Sequence, residues 1–387
     1  MALIHTQTYG FEGLVNAELG KACEKHTVVR NSAVDEVDNH ERRKRYRQDM
    51  DIGNGTMNTS LPWQELENTN LPPTTATPAM APFQYIRSLP SKGVRKQILD
   101  ALNVWIEASA EEMVTITSIV EDVHNISLML DDVQDASPLR RSRPATHSVF
   151  GTPQTVNSAT YQIVNVISLA SKFGGEGIIM DEMKNMFVGQ SLDLFWVHNV
   201  SVPTVQEYLQ MVDGKTGGLF RMIVRLMIAQ SESPSKPVDL NRLMILFGRF
   251  FQIRDDYGNL KLNEVMPFYL RYKQLLIKPQ YQESKGYCED LDEGKWSYIL
   301  IHALTNAKPD RRAILTSLLM ERHATGSAGR GHKELIMSTF EETGSLARTT
   351  DALRVLWAAI DAEISVIENY TGKPNPLIRA IIDVLKV

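Results

Sequence analysis

Cysteine is nearly absent from this chain. Of 387 residues only Cys23 and Cys288 are cysteines, too few for a disulfide framework or a thiolate metal site. That suits a reducing compartment, and a cytoplasmic location is expected. Long apolar runs are missing too: no window of about eighteen apolar residues is free of charge, so no membrane span is expected. The opening MALIHTQTYGFEG lacks a charged segment followed by an apolar stretch, and no secretory leader is expected there. The closing VLKV reads as neither a lipidation nor a peroxisomal signal. Positive charge is not in excess. Lys and Arg number 41 against 46 Asp and Glu, a formal net charge of -5. Nothing draws the whole chain to nucleic acid, so any anion binding must be local. Series of short alternating strands and internal repeats are also lacking.

What is present is the composition of a soluble globular protein, 43% hydrophobic and 22% charged. The character of the sequence changes near residue 80. Before it lie the mixed-charge NHERRKRYRQDMD and the Pro/Thr-rich NTNLPPTTATPAM, the second reading as linker or disorder. Residues 1–80 are therefore expected to form an N-terminal extension and 81–387 a single domain. In that domain apolar residues recur at three- and four-residue spacing, as in GVRKQILDALNVWIEAS, MVTITSIVEDVHNISLMLDDV and LNRLMILFGRFFQIRDDYGNL. Breaks such as SPLRRSRP and KFGGEG carry Gly, Pro and Ser. The expectation is an all-α fold of about ten or more helices around one core.

The chemistry concentrates in HNISLMLDDVQDASPLRR. Residues three or four apart share a helix face, so Asp131 and Asp135 stack, with Asp132 alongside and His124 two turns earlier. Carboxylates at this density repel unless they are solvated or neutralised by a cation. Oxygen-only ligands suit Mg²⁺, a hard ion often shared with substrate phosphates. The plain alternative is a solvated acidic helix end. A second pair, Asp255 and Asp256 in FFQIRDDYGN, closes another apolar helical run and favours the metal. Two such helices side by side would face two carboxylate sets across one cavity and clamp a diphosphate through metals. Candidate cations for that diphosphate are Lys92, Arg95, Arg140, Arg141, Lys215, Lys285 and Lys295. Thr216 offers a hydroxyl in KTGG.

These stretches, in this order, resemble the trans-isoprenyl diphosphate synthases, and most closely fungal geranylgeranyl diphosphate synthases or the prenyltransferase part of a fungal bifunctional terpene synthase. The motifs are SLPSKGVR, HNISLMLDDVQDASPLRR, GQSLDLFW, KTGGLF, FFQIRDDYGNL and KGYCEDLDEGKWS, running from about residue 83 past residue 300. The resemblance implies the isoprenoid synthase fold, all-α with a deep central cavity. It implies that Asp131, Asp132, Asp135, Asp255 and Asp256 hold Mg²⁺, about three ions per site. It assigns the allylic diphosphate to Arg140, Lys215, Thr216, Gln252, Asn259, Lys285 and Lys295. Isopentenyl diphosphate falls to Lys92, Arg95, His124 and Arg141. Gln190 and Asp193 are expected to support the site, and His147 and His302 to be structural. A homodimer or hexamer, coupled in some relatives to a terpene cyclase, is also implied.

Three departures stand out. Asn259 ends the second acidic motif where aspartate is usual, Ser142 follows the arginine pair in place of glycine, and Ser191 replaces a glycine. Asn259 can still ligate through its carbonyl or hydrogen-bond a phosphate, and neither serine removes a charged group, so activity is expected to survive. Chain length is expected to follow cavity depth. Ile126 and the small Ser127 precede the first aspartate, where synthases that stop at fifteen carbons place an aromatic floor. That favours twenty carbons. The modest Ile163, as the next floor, leaves twenty-five open. Competing readings are transfer of a finished chain to an aromatic acceptor such as an indole, a terpene cyclase, and a non-catalytic partner of a synthase. Retention of the isopentenyl diphosphate residues, the absence of a cyclase's second metal motif, and the five aspartates argue against them in turn.

Overall fold

The structure, a computed structural model, describes residues 69, 73–90, 93–231, 238–261 and 288–386. All of its regular elements belong to the unit Thr74–Val387. Lys92 and Lys285 lie outside the described residues.

Among the described residues, fifteen α-helices and one two-residue hairpin make up the α and β structure. Helices α1 (Thr77–Ser88), α2 (Val94–Ile106) and α3 (Ala110–Gln134) come first. A hairpin of β1 (Leu139–Arg140) and β2 (Arg143–Pro144) follows. Then come α4 (Thr146–Phe150), α5 (Thr152–Ala170), α6 (Glu176–Asn199), α7 (Val205–Lys215), α8 (Gly217–Gln230) and α9 (Asn241–Lys261). The last six are α10 (Glu289–Glu293), α11 (Tyr298–Asn306), α12 (Pro309–Thr325), α13 (Arg330–Glu342), α14 (Ser345–Thr371) and α15 (Pro376–Val384). The all-α expectation holds. The stretch SPLRRSRP, read as a simple break, instead folds back on itself. Arg141 and Ser142 both take positive φ, 54° and 63°, the geometry of a tight hairpin turn.

The helices begin where side chains can satisfy free backbone N–H groups. Ser109 and Glu112 form a reciprocal capping box at the start of α3. Thr204 and Glu207 do the same for α7, and the Ser297 hydroxyl caps α11. The inner face of α3 is apolar at helical spacing: Ile116, Ile119, Val120, Val123 and Ile126 are all buried. They join one continuous core with α8, α9 and α14. Among the described residues no helix is long and apolar enough to cross a membrane.

Two glycine contacts set the spacing of the helices that carry chemistry. A Cβ on Gly189 of α6 would lie 2.3 Å from the Lys215 backbone nitrogen. One on Gly248 of α9 would lie 2.9 Å from Gly217 Cα. No real side chain tolerates such distances, so only glycine lets these backbones touch. The first contact sets Gln190 and Asp193 beside Lys215. The second sets Gln252 beside Thr216.

Candidate active site

Helix α3 ends at its aspartates, with Asp135 as the C-cap residue. Each of the three acids meets a different cation. The Asp131 Oδ1 lies 3.4 Å from Lys215 Nζ and accepts a 3.2 Å hydrogen bond from Gln190 Nε2. Asp132 is fully buried; Arg140 donates to its Oδ1 through Nε at 2.8 Å and through Nη2. Asp135 Oδ2 lies 2.8 Å from Lys295 Nζ. The sequence places Asp132 alongside the other two, but the helical step of about 100° turns it inward onto Arg140. As they stand, no three Asp, Glu, His or Cys side chains among the described residues converge on one point where a cation would sit. Each carboxylate faces a basic partner.

The donor set nevertheless suits Mg²⁺. Every candidate ligand is an oxygen, as a hard cation requires. Burial, despite Lys295 and with the repulsion of Asp131 and Glu293, pushes Asp135 up to about 6. Burial also raises Asp132, against the pull of Arg140. The second oxygen of Asp132 is buried and accepts no hydrogen bond. Carboxylates held this uncomfortably are stabilised by added positive charge.

The second pair falls within the last two turns of α9. Asp255 is exposed, whereas Asp256 is buried. Both oxygens of Asp256 are engaged: Tyr208 donates to Oδ2 at 2.9 Å and Gln252 Nε2 to Oδ1 at 2.8 Å. The Gln252 carbonyl in turn accepts from Thr216 at 2.6 Å. Burial and the charge of Asp290 push Asp256 up to about 7. Asn259 accepts a 3.3 Å bond from the Asp290 backbone nitrogen, so it anchors the start of α10.

Lys215 lies between Asp131 and Asp193, donating to Asp193 at 2.7 Å and facing Asp131 at 3.4 Å. Burial alone would lower its pKa, but Asp131, Asp193 and Asp135 outweigh that and hold it above the usual lysine range. The same balance, through Asp135, Asp131, Glu293 and Asp290, keeps Lys295 charged.

A second group has the opposite electrostatics. Arg95 is lowered to about 10 by burial and by Arg141, with Asp255 pulling the other way. Arg141 is lowered by burial and by Arg140. His124 falls well below its ordinary value through burial and the charges of Arg95, Arg141 and Arg140, so it is neutral at physiological pH. Three arginines crowding one imidazole favour an anion among them. Arg141 is held by the Leu89 carbonyl at 3.2 Å and the Asn125 side chain at 3.4 Å.

The structure thus brings together Asp131, Asp132, Asp135, Arg140, Lys215 and Lys295, and separately Arg95, His124 and Arg141. Electrostatics couples Asp255 to Arg95. His302 bonds Ser345 at 2.8 Å and is structural, while His147 favours the charged form of Asp132. Below the first aspartate lies a small apolar cavity lined by Ile126, Ser127, Leu130, Met183, Met186 and Phe187. Ile163 packs against the core and does not line this cavity.

Sequence reasoning passed over four residues that the site uses: Asn125, Tyr208, Asp290 and Glu293. Asn125 and Tyr208 sit inside apolar helical patterns and look like filler. Asp290 and Glu293 were in view in CEDLDEGK, but their partners lie far away in the chain.

The polyprenyl synthetase family profile matches residues 77–266. Geranylgeranyl pyrophosphate synthase A of Phomopsis amygdali is 51% identical over 82% of this chain and 79% of its own length. The chain belongs to the polyprenyl synthetase family. Talaropentaene synthase of Talaromyces verruculosus is 40% identical over 87% of the chain and 48% of its own length. The bifunctional type I diterpene synthase tndC of Aspergillus flavipes is 44% identical over 79% of the chain and 38% of its own length. The chain therefore spans less than half of each of these two larger relatives. Members of the family are prenyltransferases that elongate prenyl chains.

One feature of this polyprenyl synthetase is strained. Arg141 and Ser142 occupy left-handed conformations that cost non-glycine residues about 1–2 kcal/mol each. Ser142→Gly removes that cost at the exposed position. Unfolding in urea is expected to show a gain of about 1 kcal/mol, with activity retained. An unchanged or lowered stability would contradict the strain.

Proposed function

We propose that this chain is a Mg²⁺-dependent geranylgeranyl diphosphate synthase. It condenses isopentenyl diphosphate with dimethylallyl, geranyl and farnesyl diphosphates. One observation carries the reading: the carboxylates at the end of α3 and the cations Lys215, Lys295 and Arg140 neutralise one another, beside a separate pocket of surplus positive charge. A metal–diphosphate pair satisfies both halves of the first set, acids to metal and bases to phosphate. A second diphosphate satisfies the pocket.

Asp131, Asp132 and Asp135, with Asp255 and Asp256 opposite, would hold Mg²⁺, which when bound neutralises the departing diphosphate. Lys215, Lys295 and Arg140 donate to the same oxygens, so positive charge is in place before the allylic C–O bond breaks. Thr216 and Gln252, already hydrogen-bonded to each other, orient that group; Asn259 and Lys285 complete the proposed set. Lys92, Arg95, His124 and Arg141 hold isopentenyl diphosphate, with His124 neutral and able to donate one hydrogen bond. Its double bond attacks the allylic carbon, and loss of a proton ends the step with a chain five carbons longer. The apolar wall of α3 and α6 excludes water from the cation. Ser127 leaves room for a longer chain, and Met186 and Phe187 limit it, which supports a product of twenty carbons. Likeness to the bifunctional relatives supports supply of that product to a cyclase.

The direct test offers purified protein Mg²⁺, isopentenyl diphosphate and each allylic diphosphate, with products identified by mass spectrometry after phosphatase treatment. A twenty-carbon alcohol should dominate, and Asp131→Ala/Asp132→Ala should lower the rate by at least about a thousandfold. If the intact protein elongates none of the three substrates, the reading fails.

The raised acids give a pH dependence. A carboxyl whose pKa stands near 6, as at Asp135, or near 7, as at Asp256, still holds a proton in mildly acidic solution. Protons then compete with the metal. The Mg²⁺ concentration for half-maximal activity should fall as pH rises between about 6 and 8 and level off above. A requirement independent of pH over that range would contradict the assignment.

A further inference from the structure

Lys295 has two carboxylate partners, and only one of them belongs to the aspartate motifs. Its Nζ contacts Asp135 Oδ2 at 2.8 Å and also Glu293 Oε2. Glu293 is buried at the end of α10. Its other oxygen, Oε1, accepts a 2.5 Å hydrogen bond from the hydroxyl of Ser137. Ser137, itself buried, stands two residues beyond Asp135, and its backbone nitrogen bonds the Asp132 carbonyl at 3.0 Å. Glu293 therefore ties the short helix that precedes Lys295 to the tail of α3, across 156 residues of chain.

We infer that Glu293 is a positioning residue: it holds the Lys295 ammonium aimed at the diphosphate, and Ser137 holds Glu293. The inference rests on the proposed diphosphate role of Lys295. If Asp135 turns to a metal, Lys295 loses one of its two anionic partners. Glu293 remains, fixed by Ser137 and not by the metal. The lysine then stays charged and extended instead of searching rotamers, so its side-chain entropy is spent before substrate arrives. A buried carboxylate next to a lysine needs a second donor to remain in place, which the Ser137 hydroxyl supplies.

Two variants separate the parts. Glu293→Gln keeps an acceptor for Ser137 and removes the charge facing Lys295. Ser137→Ala keeps the charge and removes the anchor. Both are read by steady-state kinetics on full-length protein, with farnesyl and isopentenyl diphosphates varied in turn and folding checked by thermal melting. The wild-type rate is taken first, so failure to elongate refutes the synthase reading and not this one. Glu293→Gln should raise the KM for the allylic substrate by about tenfold or more, with the KM for isopentenyl diphosphate unchanged. Ser137→Ala should do the same to a smaller degree. In a Lys295→Ala background, Glu293→Gln should change the allylic KM by less than about twofold, because its effect runs through the lysine. The inference is overturned if Glu293→Gln behaves as wild type. It is equally overturned if both KM values move together, or if the effect persists undiminished without Lys295.

Discussion

The site depends on charge neutralisation within itself. Three aspartates at one helix end would repel strongly, and three cations brought from the hairpin, the end of α7 and the second residue beyond α10 would do the same. Set against one another, they can be buried together. Breaking one partner of a buried pair leaves an uncompensated charge, at a cost of about 3–5 kcal/mol. That penalty ties the positions of four separate segments to one another. The same groups, acids for metal and bases for phosphate, are the ones the proposed function calls on.

The surrounding architecture sets these charges in place. Glycine contacts between α6 and α7 and between α8 and α9 bring the backbones close enough for Lys215 and Gln252 to reach in. Tyr208 and Gln252 donate to Asp256 from both sides and hold it in line with the Thr216–Gln252 pair. Asp255, exposed one residue earlier, faces the arginine pocket. Two neighbouring aspartates thus occupy environments of opposite polarity, as a helical step dictates.

Much of the fold was legible because helices carry a period. The apolar spacing of Ile116 through Ile126 announces α3, and the capping pair Ser109 and Glu112 sets its start. The aspartates and several cations were legible because charge beside an apolar face demands a reason. What stayed hidden is tertiary pairing. Nothing local says that Ser137 bonds Glu293, or that Tyr208, one aromatic in an apolar helix, spends its hydroxyl on Asp256. The left-handed turn at Arg141 and Ser142 was hidden too, since neither residue advertises positive φ. Asp132 shows the limit of spacing rules. Three acids in five residues look like one cluster, yet each of them faces a different cation.

The proposed function has a thermodynamic consequence. Under it, Mg²⁺ alone would have to pull aspartates from lysines, and a diphosphate alone would have to pull lysines from aspartates; together, each would release what the other needs. Isothermal titration of the protein with Mg²⁺, with and without saturating inorganic pyrophosphate, measures this coupling directly. The account predicts that pyrophosphate tightens Mg²⁺ binding by about a hundredfold, in excess of the affinity of the two ions for each other in solution. Mg²⁺ binding equally tight in both titrations would contradict it.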